Sequence, residues 1–142
     1  MAKNLYLTTT EGESGKKAIT LGLMELLLRK IDKVAYFRPI VHISGSEKPH
    51  EHFALIKNYF SLDIADEQMF AFTFDEAEKL VTAGRYDEFL EGIVRKYKQL
   101  EERYDFVLCD GTDFKEETSS FEMDLNARIA SVLASPIILI TP

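Results

Sequence analysis

The chain has 142 residues, 46% of them apolar and 29% charged, which is one ordinary domain with enough apolar material for a core. Its 17 Lys and Arg stand against 24 Asp and Glu, and the net charge of −7 excludes the basic face of a nucleic-acid binder. A single Cys excludes an internal disulfide and a Cys-rich zinc site, and points to a reducing, cytoplasmic compartment. The sequence opens without an apolar leader. Its longest apolar-rich stretch, Ala18 to Leu28, is interrupted by Thr20, Gly22 and Glu25 and is too short for a bilayer, so no membrane partner is expected.

In chain order, Asn4–Thr8 reads as a buried strand: short, apolar and closed by Thr. A Gly-containing loop leads into a helix over Lys16–Ile31, with Ile19, Leu23, Leu26 and Leu27 at helical spacing. Val34–Phe37 reads as a second strand. From about Ile40 to Phe72 the pattern is less regular and predicts a loop-rich insertion. It contains His42, Ser44, Gly45, Ser46 and Pro49, and a short helix at Glu51–Phe60 that aligns Phe53, Ile56 and Tyr59. The alternation Phe70, Phe72, Phe74 predicts one face of an added edge strand, in the core or at a domain interface.

Helices follow at Phe74–Thr82 and Tyr86–Arg103. The second places Phe89, Ile93, Tyr97 and Leu100 on one stripe and mixed charges elsewhere, a solvated face. Phe106–Cys109 is a third strand, bracketed by Asp105 and Asp110. A helix over Met123–Leu133 turns Leu125, Ile129, Val132 and Leu133 inward. Pro136–Thr141 then reads as a central strand, which implies a sheet incomplete at its C-terminus. Strand–helix alternation predicts an α/β domain in three layers, with a mainly parallel sheet flanked by helices.

In an open α/β sheet, ligands bind beyond the carboxyl ends of the strands. The loop after the first strand, Thr8-Thr9-Thr10-Glu11-Gly12-Glu13-Ser14-Gly15-Lys16-Lys17, has the strand–loop–helix setting of a phosphate-binding loop. Gly15 and Lys16 supply its Gly-Lys pair. Thr10, or Thr9 with one extra residue, stands where a leading Gly belongs. Lys17 stands where a Ser or Thr would hold Mg²⁺, and Glu11 and Glu13 oppose polyphosphate. The candidate site is therefore a degenerate nucleotide or anion loop of Thr9, Thr10, Gly12, Gly15, Lys16 and Lys17. Its alternative is a simple strand–helix turn with solvated lysines.

Two further loops should meet it. Asp110-Gly111 ends the third strand, where a carboxylate can hold Mg²⁺, or where an Asp-Gly turn needs no function at all. Arg38 follows the second strand, where it can pair with an anionic ligand or with Asp110. His50-Glu51-His52 lacks a third ligand and reads as solvated, and His42 as a loop histidine. Cys109, inside a strand with no base beside it, reads as an inert buried thiol. No metal site or catalytic residue is expected.

The Tyr6-Leu7 strand, the loop with Gly15-Lys16, the run Val34-Ala35-Tyr36-Phe37-Arg38-Pro39-Ile40, Phe106 to Gly111, and Asn126, Ile129, Ala130 and Leu133 before the last strand resemble one family. The sequence is similar to the N-terminal domain of long bacterial phosphate acetyltransferases. That domain is similar in turn to dethiobiotin synthetase and the cobyrinic acid a,c-diamide synthase group of P-loop proteins. The resemblance spans essentially the whole chain and implies a P-loop NTPase-like fold. It also implies a regulatory and assembly role beside a separate C-terminal acetyltransferase domain, in a protein that is a homo-oligomer at full length. The chain itself would then carry no acetyl transfer between coenzyme A and phosphate. The alternatives are an ATP-dependent synthetase-like enzyme and a non-catalytic interaction module.

Overall fold

The computed structural model describes residues 3–9, 16–42, 49–111 and 119–140. In chain order these form β1 (Lys3–Thr9), α1 (Lys16–Lys30), β2 (Val34–Val41), α2 (Pro49–Phe60), a short 3-10 turn at Asp66–Gln68, β3 (Phe70–Thr73), α3 (Phe74–Thr82), α4 (Tyr86–Glu101), β4 (Phe106–Asp110), α5 (Ser119–Val132) and β5 (Ile137–Ile140). The strands make one parallel sheet in the order β3-β2-β4-β1-β5.

Consecutive residues of the inner strands are buried: Tyr6 and Leu7 in β1, Val34 to Phe37 in β2, Val107 to Cys109 in β4. Side chains alternate between faces along a strand, so burial of neighbours means that both faces are covered. Lys16 of α1 reaches Asp110, and Phe53 of α2 packs edge-on to Tyr36, so α1 and α2 lie on one face. Tyr97 of α4 packs on Phe37 and bonds Asn4, and Asn126 of α5 bonds Tyr6, so α4 and α5 lie on the other. The expected three-layer α/β architecture is the one observed.

Several elements depart from the sequence expectations. β2 runs past Phe37 to Val41 although Pro39 lies within it. Its pairing with β4 ends at Phe37↔Cys109, and beyond that point β3 alone among the described strands lies alongside, so Pro39 interrupts no described pairing with β4. Within the region read as a loop-rich insertion, the expected helix and edge strand form as α2 and β3 and make a further crossover unit, with Phe53 and Ile56 buried. Phe70 and Phe72 do not share one neighbour. Phe70 stacks on Phe53 of α2, and Phe72 packs on Phe89 of α4, where Gly92 leaves room for its ring.

The inward face of α1 is rotated from the expected one, and α2 and α5 each expose a single residue of an otherwise buried stripe. α1 buries Lys16, Thr20 and Met24, while Ile19 and Leu26 are exposed. A helix with Leu and Ile on every side does not reveal which face turns inward; here it is the face carrying Lys16. Tyr59 of α2 and Val132 of α5 are also exposed. Finally, Ile137–Ile140 is not central among the described strands but forms the edge beside β1.

Candidate functional site

The carboxyl ends of β1, β4 and β2 converge on one carboxylate. Leu7 pairs with Asp110, and Tyr36 with Leu108, so Leu7, Tyr36, Arg38 and Asp110 all present side chains to the α1 face. The Lys16 Nζ lies 2.7 Å from Asp110 Oδ1 and donates to the Gly111 carbonyl at 2.5 Å. The Tyr36 hydroxyl donates to Asp110 Oδ2, and Arg38 Nη1 lies 3.4 Å from the same oxygen. Lys16 and Asp110 are only 6% and 4% exposed. A charge so deeply buried is tolerable only when paired and hydrogen-bonded, and each here is.

The surrounding groups are held protonated. Burial first, then the Asp110 charge, pushes the Tyr36 phenol well above its ordinary value, with Arg38 opposing. Tyr6 is raised the same way, by burial first and then by Cys109 and Asp110. Burial and Asp110 also push up the Cys109 thiol, which fits an unreactive core residue.

Behind the carboxylate sits a tight turn. The Gly111 amide donates to the Leu7 carbonyl at 2.7 Å. A Cβ at Gly111 would lie 2.7 Å from that carbonyl oxygen and 3.0 Å from Asn126 Oδ1. The same Asn126 oxygen accepts from the Tyr6 hydroxyl at 2.7 Å. Glycine is therefore required at 111 for close approach of two strands and a helix, beyond any preference of an Asp-Gly turn.

Of the expected site residues, Lys16, Arg38, Asp110 and Gly111 come together. Thr9 is buried beside them, and among the described residues neither its hydroxyl nor that of Thr8 has a hydrogen-bond partner. Two steps along the strand from Leu7, Thr9 is on the α1 face, the face of Asp110. Lys17 is exposed and is not in the buried network. Thr10, Gly12 and Gly15 lie outside the described residues, as do the side chains of His50 and His52. His42 stacks on Phe74 at 4.5 Å. Among the described residues, no group of three or more His, Cys, Asp or Glu is placed to hold a metal, and no helix is long and apolar enough to cross a membrane.

Sequence reasoning missed Tyr36, Tyr6 and Asn126 as parts of the site. Two signals were available. Tyr36 is two residues before Arg38, so a strand places them on one face. Asn126 is a polar residue on the inward stripe of α5, where a partner is obligatory.

The P-loop setting raises the question of Mg²⁺, and the residues present do not fit it. Asp110 already carries Lys16 on one oxygen and Tyr36 and Arg38 on the other. Lys17 occupies the usual Ser or Thr position, and an ammonium cannot ligate a cation. On the α1 face the Lys16 ammonium and the Thr9 hydroxyl are hydrogen-bond donors, a chemistry suited to an anion and not to a cation.

Similarity to known proteins agrees with this geometry. The chain is 45% identical over 140 residues to a phosphate acetyltransferase of Nitratidesulfovibrio vulgaris, and 40% identical over 140 residues to one of Synechocystis. Each alignment covers 99% of this chain and 20% of the relative, so the chain spans about a fifth of their length. It is 28% identical over 112 residues to an ATP-dependent dethiobiotin synthetase of Bacillus licheniformis, covering 77% of this chain and 48% of that protein. The AAA domain family AAA_26 matches residues 3–142. With its parallel sheet, its Gly-Lys loop before α1 and its acidic end of β4, the chain belongs to this AAA domain family and has a P-loop NTPase-like fold.

Proposed function

We propose that this chain is the N-terminal regulatory and assembly domain of a phosphate acetyltransferase, and that it carries no acetyl transfer itself. The supporting observation is the near-complete match of the chain to one fifth of two phosphate acetyltransferases. The full-length protein would interconvert acetyl-CoA plus phosphate and acetyl phosphate plus CoA in the cytoplasm as a homo-oligomer, with its chemistry in a C-terminal domain.

In this reading the degenerate loop is a sensor. Lys16 is held by Asp110 until an anionic effector takes its place on the ammonium. Exchange of one anion for another on Lys16 needs no metal, in keeping with a carboxylate already occupied by three donors. Effector binding would then move the β4 end and the turn at Gly111, and with them the contact to Asn126 of α5.

The test has two arms. Purified 142-residue protein should form no acetyl phosphate from acetyl-CoA and phosphate, whereas the full-length protein should. Deleting residues 1–142 from the full-length protein should abolish its response to anionic effectors and leave turnover measurable. Turnover by the 142-residue chain, or unchanged effector response after deletion, overturns the reading.

A second reading, an ATP-dependent synthetase-like enzyme, draws on the similarity to dethiobiotin synthetase and on Lys16 and Asp110. It requires Mg²⁺-dependent ATP binding that Lys16→Ala weakens. Titration calorimetry with ATP, with and without Mg²⁺, separates the two. A metal requirement favours the synthetase; binding of phosphate or ATP without metal favours the sensor.

A further inference from the structure

The two helices on the sheet face opposite α1 do not close fully against each other. Between α4 and α5 runs an open groove of about 520 Å³, lined by Asp87, Leu90, Glu91, Val94 and Arg95 of α4 and by Val132 of α5. The phase of α4 explains it. Phe89, Ile93, Tyr97 and Leu100 take the buried stripe. Leu90 and Val94 each follow one of these by one residue, a step of about 100° round the helix, and are only partly covered. Val132, on the other wall, is 42% exposed.

The charges on the rim are ordered by sign. Asp87 and Glu91 stand in the first half of α4 and Arg95 in the second. The helix dipole favours that order. Within one helix, Glu91 and Arg95 are also four residues apart in the orientation that favours an ion pair. They do not form one. Among the described residues Asp87, Glu91 and Arg95 make no ion pair or hydrogen bond, whereas Arg85 holds Glu88, and Lys98 holds Glu101, around the same helix. The groove thus combines an apolar floor with three uncommitted charges.

This patch is complementary to itself. A twofold axis crossing α4 near Ile93 sets a second α4 antiparallel to the first. Glu91 then lies beside Arg95 of the second copy, and Arg95 beside Glu91 of the second copy. Leu90 and Val94 face one another across the axis, and Asp87 is carried toward Lys98 of the second copy. The ridge of each α4 enters the groove of the other and meets Val132 at its wall. A rim of one sign would repel its own copy; a rim that changes sign halfway along the helix attracts it.

We propose that the α4–α5 groove is a twofold interface with a second copy of this chain, with the two α4 helices packed antiparallel and each filling the groove of the other. The inference gives a surface to the assembly role proposed above. It rests on that part of the reading and not on acetyl transfer.

The test is sedimentation equilibrium of the 142-residue chain and of the full-length protein. In a twofold dimer each residue occurs twice, so Glu91→Arg or Arg95→Glu alone turns two attractions into repulsions. Either variant should weaken dimerisation of the 142-residue chain at least about tenfold, and should lower the mass of the full-length assembly. The double variant, Glu91→Arg with Arg95→Glu, restores opposite signs across the axis. Its dissociation constant should return to within about threefold of the original, a rescue that damage to the fold would not give. Val132→Asp should abolish the dimer.

A monomer at every concentration up to about 1 mM would overturn the proposal. So would association that the single reversals leave unchanged, or single losses that the double variant does not recover. A monomeric full-length protein in which the amides around Leu90 and Val94 are protected would overturn it in favour of another part of the same polypeptide. Acetyl phosphate formation by the full-length protein is measured alongside. Its absence with the charge-swap rescue intact would overturn only the acetyltransferase reading, and its presence without the rescue would overturn only this proposal.

Discussion

The centre and the edge of this sheet solve opposite problems with neighbouring strands. At the ends of β1 and β4, charged and polar groups are shut away from water, and each charge is met by a partner: Lys16 by Asp110, and Asp110 by Tyr36 and Arg38. At β5, three apolar side chains stand in water although nothing polar competes for them. Stability should therefore be concentrated where the chemistry is least hydrophobic, and β5 should be permissive. Exposure, more than residue type, decides what a substitution costs.

The sharpest way to break this contrast is Asp110→Ala. It leaves Lys16 buried without its carboxylate and should lower unfolding free energy by about 3–5 kcal/mol in urea denaturation. A loss below about 1 kcal/mol would mean that the centre is no more demanding than the edge.

Next comes Gly111→Ala. The added Cβ meets the Leu7 carbonyl oxygen, a backbone atom that cannot swing aside, and the expected loss is about 2–3 kcal/mol. Retained stability, measured the same way, would show that the β1 and β4 ends can part freely.

Alkaline pH probes the buried phenols more gently. Folding raises Tyr6 and Tyr36 well above 10.0 and Tyr97 to about 12, mainly through burial. Raised values mean that the folded state holds these protons more tightly. Their contribution is complete below pH 10 and is lost as pH rises toward and beyond 12. Unfolding curves should thus shift to lower urea as pH climbs through this window, with the share of phenolate ultraviolet absorbance due to Tyr6, Tyr36 and Tyr97 appearing only as the protein unfolds. Phenolate absorbance from all six tyrosines of the folded chain near pH 10 would contradict the closed centre.

The smallest effect is expected at the edge. Leu139→Thr introduces a β-branched strand residue and removes exposed apolar surface. It should change the stability of the 142-residue chain by less than about 0.5 kcal/mol. A loss near that of a buried Leu would show that β5 is already covered, and would erase the difference between the regions.

The architecture was largely legible because parallel strands are bought with apolar runs that little else resembles. Phe106–Cys109 and Val34–Phe37 stood out for that reason. The stripe Phe89, Ile93, Tyr97, Leu100 fixed the inward face of α4, since its other sides are charged. The α1 face was not legible, because Ile19, Leu23 and Leu26 satisfy the same spacing as Thr20 and Met24. The α2–β3 unit was obscured by Pro39, His42 and the Ser-Gly stretch. In the site, Lys16, Arg38 and Asp110 could be nominated from their places after three strands, whereas the choice of Asp110 as partner of both cations needed the sheet order.

By itself the sequence determined the alternation of strands and helices, the Gly-Lys loop before the first helix and the acidic turn after β4. Those features are local: hydrophobic period, turn chemistry and the order of residues along one strand. Only the tertiary structure decided that β4 lies between β1 and β2, and so brought Asp110 to Lys16 across 94 residues of sequence separation. It alone also left β5 at an edge. Both are long-range outcomes of strand order, which depends on how crossovers of one hand stack their helices on two faces, and no window of sequence carries that information.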